Sequence, residues 1–83
     1  MRPTDDDLID LIASETMKDR GLLNRGSTLE EIGVDSVDIA SMFFALEDKY
    51  EVRVQYEEIS RGQTLGEVLN LIRGKIEAQS GKQ

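Results

Sequence analysis

The stretch Gly33-Val34-Asp35-Ser36-Val37-Asp38 places one hydroxyl between two carboxylates, and no other segment of this 83-residue chain has residue types so suggestive of chemistry. A serine that attacks a substrate needs a base to take its proton, and one that holds phosphate reversibly needs cationic neighbours. The flanking sequence supplies neither. The chain has no histidine and no cysteine, which removes a Ser-His-Asp arrangement, a thiolate nucleophile, a disulfide and a zinc-thiolate site. A lysine base would need Ser-x-x-Lys spacing, which does not occur. Ser14 and Lys18 read instead as surface residues one helical turn apart. The run Asp5-Asp6-Asp7 lacks the glycine and terminal glutamate of a calcium loop and reads as a solvated helix start. No catalytic residue and no metal ligand is therefore expected. Ser36 is expected to be a handle that an external enzyme modifies, its acidic neighbours recruiting basic groups on that enzyme.

The elements that must hold this serine follow from capping and periodicity. Thr4, with Asp7 three residues on, opens a first helix whose apolar positions are Leu8, Ile9, Leu11, Ile12 and Met17, with Gly21 marking its end. Residues 21–35 carry three glycines and read as a long loop, with one helical turn over Thr28 to Ile32 opened by the Thr28-x-x-Glu31 box. A second main helix begins at Asp35 or Ser36, where Asp35 serves as N-cap and Asp38 stands in the first turn, offsetting the positive helix end. Ile39, Met42, Phe43, Leu46 and Tyr50 form its buried face, and Val37, Ala40 and Phe44 an adjoining stripe. "YEVRVQY" alternates like a strand but has no second strand to pair with, so it reads as an extended connector. A short turn or helix at Glu57 to Ile59 comes next. A last helix is opened by Thr64-x-x-Glu67 and buries Leu65, Val68, Leu69, Ile72 and Ile76, with Gly74 weakening it internally. The prediction is an all-α fold: a small four-helix bundle of three main helices and one short one, with a long connection between the first two main helices. The domain spans 1–79, and 80–83 form a flexible tail.

Composition narrows the function. The net charge of −7 disfavours nucleic acid, which needs clustered Lys and Arg, and favours basic protein partners. The longest mainly apolar stretch, "IASMFFAL", is far short of the ~18 residues of a membrane span, so no membrane insertion is expected. An acidic N-terminus without a basic and apolar leader, together with the lack of cysteine, points to the cytoplasm.

The segment "GVDSVDIASMFFALEDKYEVRV" resembles the signature of acyl carrier proteins, Gly-x-Asp-Ser-Leu followed by an acidic amphipathic helix ending in Leu-Glu-Glu-x-Phe. Gly33, Asp35 and Ser36 match its core, and Leu46, Glu47, Asp48 and Tyr50 its end. The resemblance extends over nearly the whole chain, including the long first loop, the acidic "YEEIS" turn and the final helix. It implies that Ser36 receives 4′-phosphopantetheine from coenzyme A through a phosphopantetheinyl transferase. The added thiol then carries acyl groups as thioesters to acyl-transferring or synthase enzymes with basic docking surfaces. Such a carrier is noncatalytic and a monomer. Asp35, Val37, Asp38, Phe44, Glu47 and Asp48 are the candidate partner-recognition residues. Ile39, Met42, Phe43, Leu46, Leu65, Leu69 and Ile72 are the candidate acyl-chain pocket. Val37 stands where the family usually has leucine, Ser41 where carriers of fatty acid synthesis commonly have an acid, and Gln55 where a proline is common. These departures point to a dedicated carrier serving a narrower pathway. The competing readings are an unmodified acidic adaptor for a basic partner and an aminoacyl or peptidyl carrier.

Overall fold

The computed structural model describes residues 3–80. In chain order the helices are α1 (Asp5–Thr16), α2 (Leu29–Ile32), α3 (Ser36–Tyr50) and α4 (Leu65–Ser80), with 3₁₀ turns at Arg20–Leu22 and Tyr56–Glu58. Among the described residues there is no strand, only one antiparallel bridge between Thr28 and Thr64. The expected bundle of three long helices and one short one is what forms, and the "YEVRVQY" segment is an extended connector.

Each helix starts where a short polar side chain satisfies backbone N–H groups that have no partner within the helix. Thr4 accepts from the Asp7 N–H (3.1 Å) while Asp7 accepts from the Thr4 N–H (2.9 Å). Thr28 with Glu31 and Thr64 with Glu67 repeat the arrangement. The N-terminal ends of α2 and α4 are also tied to each other. Leu29 N–H donates to the Gln63 carbonyl (3.0 Å) and Leu65 N–H to the Ser27 carbonyl (2.8 Å). Gly66 is buried in this junction, and a Cβ there would sit 3.2 Å from the Arg25 carbonyl oxygen, so the close backbone approach depends on glycine.

α1 and α3 lie antiparallel. Asp7, near the start of α1, is close enough to Tyr50, at the end of α3, for its charge to raise the phenol pKa alongside burial, while Lys18, just past α1, reaches Gly33. Gln79 Nε2 donates to the Tyr50 carbonyl (3.4 Å), which puts the ends of α3 and α4 together. The core they enclose takes Leu8 and Ile12 from α1, Met42 and Leu46 from α3, and Leu65, Val68, Leu69 and Ile72 from α4, all almost wholly inaccessible to water. The connector adds Val52 and Val54 and the long loop adds Leu23, so both irregular segments are held by apolar anchors. Asp5 binds both Arg25 and Arg73, linking α1, the loop and α4 at one point.

Two expectations for α1 are corrected. The helix ends at Thr16 instead of near Gly21, because Met17 adopts the left-handed conformation (φ 57°, ψ 34°) and its N–H closes on the Ala13 carbonyl. Met17 is thereby turned out of the core, 91% exposed. Buried Thr16 donates its hydroxyl to the Ile12 carbonyl (2.7 Å), satisfying its own polar group within the helix. At the other end of the chain α4 passes Gly74 without interruption, since nothing packs there and the flanking turns carry the apolar stripe. It continues to Ser80, the first residue of the expected tail; the rest of that tail, 81–83, lies outside the described residues.

Candidate functional site

The mouth of α3 is built from both sides. α2 stops at Gly33, whose φ of 89° lies in the left-handed region, and the N–H of buried Val34 donates back to the Leu29 carbonyl (3.0 Å). This turn delivers Asp35 in an extended conformation as the N-cap of α3. Asp35 Oδ1 accepts from the Asp38 N–H (2.9 Å) and Asp38 Oδ2 from the Asp35 N–H (3.3 Å). The carboxyl of Asp35 is held below its ordinary pKa, first by the Asp38 N–H and further by the Asp38 side chain, the Val37 N–H and the charge of Lys18, against an opposing effect of desolvation. The acid at this helix start is therefore an anion across the physiological range.

Ser36 is the first residue of α3 and is exposed. Among the described residues its hydroxyl makes no hydrogen bond, while its carbonyl accepts one from the Tyr56 hydroxyl (3.0 Å). Tyr56 had no role in the sequence reading. It opens the 3₁₀ turn after the connector, lies with its ring edge-on to Phe43 (centroids 5.7 Å apart, planes at 80°), and stays 47% exposed. One phenol thus clips the connector to the first turn of α3. Lys18 was also missed as a neighbour of the serine loop. A Cβ at Gly33 would lie 3.3 Å from Lys18 Nζ, so the end of α1 brings a cation to a segment whose own sequence has none. Neither residue leaves a local signal, because each reaches its target across a tertiary gap.

The candidate partner residues fall into two groups. Val37 (70% exposed), Phe44 (77% exposed) and Asp48 stand on the side of α3 that faces α1 across an open groove. Glu47 is exposed but engaged, accepting from Arg53 at 3.0 Å. Asp38 is half-buried and committed to the cap. Of the candidate acyl-pocket residues, Ile39, Met42, Leu46, Leu65, Leu69 and Ile72 are all buried in the one core. Phe43 is only half-buried, packed against the rim of that core with Tyr56. A groove of about 1330 Å³ runs between α1 and α3 and is lined by none of these side chains.

A chain with an exposed serine at a capped, acidic helix mouth matches known proteins over most of its length. The model of the family described as "Phosphopantetheine attachment site" matches residues 6–72. An acyl carrier protein of Campylobacter curvus is 29% identical over 68 residues, covering 81% of this chain and 88% of that protein. Acyl carrier proteins of Clostridium acetobutylicum (31% identical over 51 residues, 61% of this chain) and Wolinella succinogenes (34% over 44 residues, 53% of this chain) are matched over only 66% and 58% of their own lengths. No solved structure matches. With the family model spanning 6–72 of 83 residues, the chain belongs to the phosphopantetheine attachment site family, whose prosthetic group is a covalently bound 4′-phosphopantetheine.

Proposed function

We propose that this protein is a noncatalytic acyl carrier whose 4′-phosphopantetheine is attached at Ser36, and that it presents its cargo to enzymes of fatty acid, lipid or polyketide-type synthesis. The observation that carries the reading is the exposed hydroxyl at the first position of α3, which makes no hydrogen bond among the described residues, with the Asp35 cap before it and the Tyr56 hydroxyl on its own carbonyl. The group, when bound, supplies a thiol on a tether of roughly 18 Å, about five extended residues, on which acyl groups ride as thioesters.

What the chain itself contributes is placement and charge. The positive end of the α3 dipole favours a phosphodiester on Ser36, whereas Asp35 and Asp38, which already take two of the opening N–H groups, disfavour a free phosphate there. The two effects conflict for a diffusing anion but not for one joined through the serine oxygen, so the mouth suits a covalent group and rejects its noncovalent counterpart. The exposed carboxylate of Asp35 remains within reach of cationic groups of a phosphopantetheinyl transferase, and the exposed Asp48 of basic acyl-handling enzymes. With partner encounter helped by charge and the cargo tethered at an effective millimolar concentration, weak and reversible docking is sufficient.

The core supports a second part of the reading. Ile39, Met42, Leu46, Leu65, Leu69 and Ile72 already fill their space, so an acyl chain entering among them must part α3 from α4. Each CH₂ gained contributes about 0.8 kcal/mol against that cost. Phe43 and Tyr56 stand at the rim and set the depth of entry. Incubating the purified chain with a broad-specificity transferase and coenzyme A tests the reading. One phosphopantetheine is expected on the wild type and none on Ser36→Ala; modification of the variant to the same extent would refute the assignment. Octanoyl and acetyl forms of the holo protein that melt at one temperature would refute entry into the core.

A further inference from the structure

Ser36 is reached by one side chain from outside its own loop and helix. The Tyr56 hydroxyl donates to the Ser36 carbonyl at 3.0 Å, and among the described residues no other side chain hydrogen-bonds to Ser36. That carbonyl does not need the phenol. It already serves the N–H four residues on within α3, and the phenol uses its second lone pair. The Ser36 hydroxyl oxygen, where the phosphodiester is joined, belongs to the same residue and lies at most about 5 Å from the carbonyl oxygen whatever the rotamer. A donor held at the one is therefore at hand for an acceptor built on the other. The donor is also offered from a fixed base. Gln55 N–H donates to Glu58 (2.8 Å), Glu58 pairs with Lys75 of α4 (2.9 Å), and Val54 and Ile59 on either side are buried. The remaining groups at the mouth are of the wrong kind. Asp35 and Asp38 present only acceptors and each already takes an N–H. Val37 is apolar, and Lys18 stands at Gly33, where its charge acts on Asp35.

We propose that Tyr56 is a binding residue for the prosthetic group: once a phosphodiester is joined to Ser36, the phenol leaves the Ser36 carbonyl and donates to a phosphate oxygen. Three features favour the exchange. A hydrogen bond to an ionised acceptor is roughly twice as strong as one to a neutral carbonyl. The phenol has a single proton to give, so it serves the better acceptor. The carbonyl left behind keeps its bond within α3, so no acceptor is orphaned. The change asks only for a turn of the hydroxyl and a shift of the ring, while the 3₁₀ turn beneath stays anchored. A phenol also suits this place better than a lysine. It donates without carrying charge, and so leaves the Asp35 carboxylate free to draw a transferase. The root of the arm is thereby held on the connector side of α3, beside Phe43 at the rim of the core. The proposal rests on attachment at Ser36 and adds how the chain holds the first atoms of the group.

The test compares isotope-labelled full-length protein in its apo form and in the holo form made with transferase and coenzyme A, each as wild type and as Tyr56→Phe, which keeps the ring and removes only the donor. The carbonyl carbon resonance of Ser36 reports whether the phenol is bound to it. In the apo protein Tyr56→Phe is expected to move that resonance upfield. Loading is expected to move it further upfield in the wild type than in Tyr56→Phe, because only the wild type has a phenol to lose. The phosphorus resonance of the holo form is expected to shift in Tyr56→Phe and to stay in place in Lys18→Met. Nuclear Overhauser contacts from the Tyr56 ring to the first methylene and the paired methyl groups of the arm are expected in the wild type and lost in Tyr56→Phe. The contacts are read in the wild type by itself, so a poorly folded variant does not remove the test. A purely structural clip loosens apo and holo forms alike. It gives equal carbonyl shifts on loading and no contacts from ring to arm, and that result overturns the proposal. A phosphorus resonance that follows Lys18→Met and ignores Tyr56→Phe overturns it too. A chain that takes no phosphopantetheine at Ser36 sinks the carrier reading and this proposal together, whereas a loaded chain without these signals sinks this proposal alone.

Discussion

The two apolar faces of α3 have similar residues and opposite fates. Ile39, Met42 and Leu46 are shut inside the core, whereas Val37, Ala40 and Phe44, nearly half a turn around the same helix, face the open α1–α3 groove. Periodicity sets the two groups on different sides of the helix but cannot tell which of them the rest of the chain covers. The packing does: the first group joins a core that also takes residues from α1, the connector and α4, while the second lines the groove beside α1. The buried face belongs to stability. The open one costs the isolated protein solvent exposure of a phenyl ring and returns nothing to its fold, which is why it is assigned to partners.

That division is broken or sharpened by substitutions on each side. The largest effect is expected for Leu46→Ala, which removes a fully buried side chain and should destabilise by about 2–4 kcal/mol, seen as a lower urea midpoint with little change in slope. Tyr56→Phe acts where the faces meet. It keeps the ring against Phe43 but deletes the hydrogen bond to the Ser36 carbonyl, and should cost about 1 kcal/mol. The amides of the first turn of α3 should then exchange faster with solvent than those of its last turn; uniform exchange would show that the clip does not hold the serine. Glu51→Gly is expected to stabilise by about 0.5–1 kcal/mol in thermal melts, since Glu51 caps α3 at φ 56°, where a side chain is strained. Phe44→Ala should leave stability within about 0.5 kcal/mol. A loss as large as that of Leu46→Ala would show that the open face is part of the core after all.

Acid probes two capping carboxylates more gently. Asp35 and Glu58 have folded pKa values below their ordinary ones, through the Asp38 N–H and the Lys75 side chain respectively. Their contributions are therefore complete above the unfolded carboxylate range and fade as pH falls through the lowered folded values. Asp35→Asn and Glu58→Gln variants should show a shallower loss of thermal stability below about pH 4 than the wild type, with little difference in slope near neutrality.

Local chemistry made much of this legible from sequence. The boxes at Thr4, Thr28, Asp35 and Thr64 all form, because a cap is a bond between residues three apart and needs no tertiary partner. The buried positions of α4 followed its period for the same reason. Met17 was misplaced since period alone cannot see a left-handed residue without glycine. Tyr56 on the Ser36 carbonyl, Lys18 beside Gly33 and the α1 wall of the groove were not readable at all. Each depends on which helix lies beside which, and that is decided by the summed packing of the core and not by any short segment.

The central claim is tested most directly by locating the modification instead of only weighing it. The holo protein, made with transferase and coenzyme A, is cut into peptides and the added phosphopantetheine is placed by fragmentation. The account predicts a single group on the Ser36 oxygen, with Ser14, Ser27, Ser41, Ser60 and Ser80 bare. A group on any of those serines, or an unmodified chain under conditions that fully load a control carrier, would contradict it.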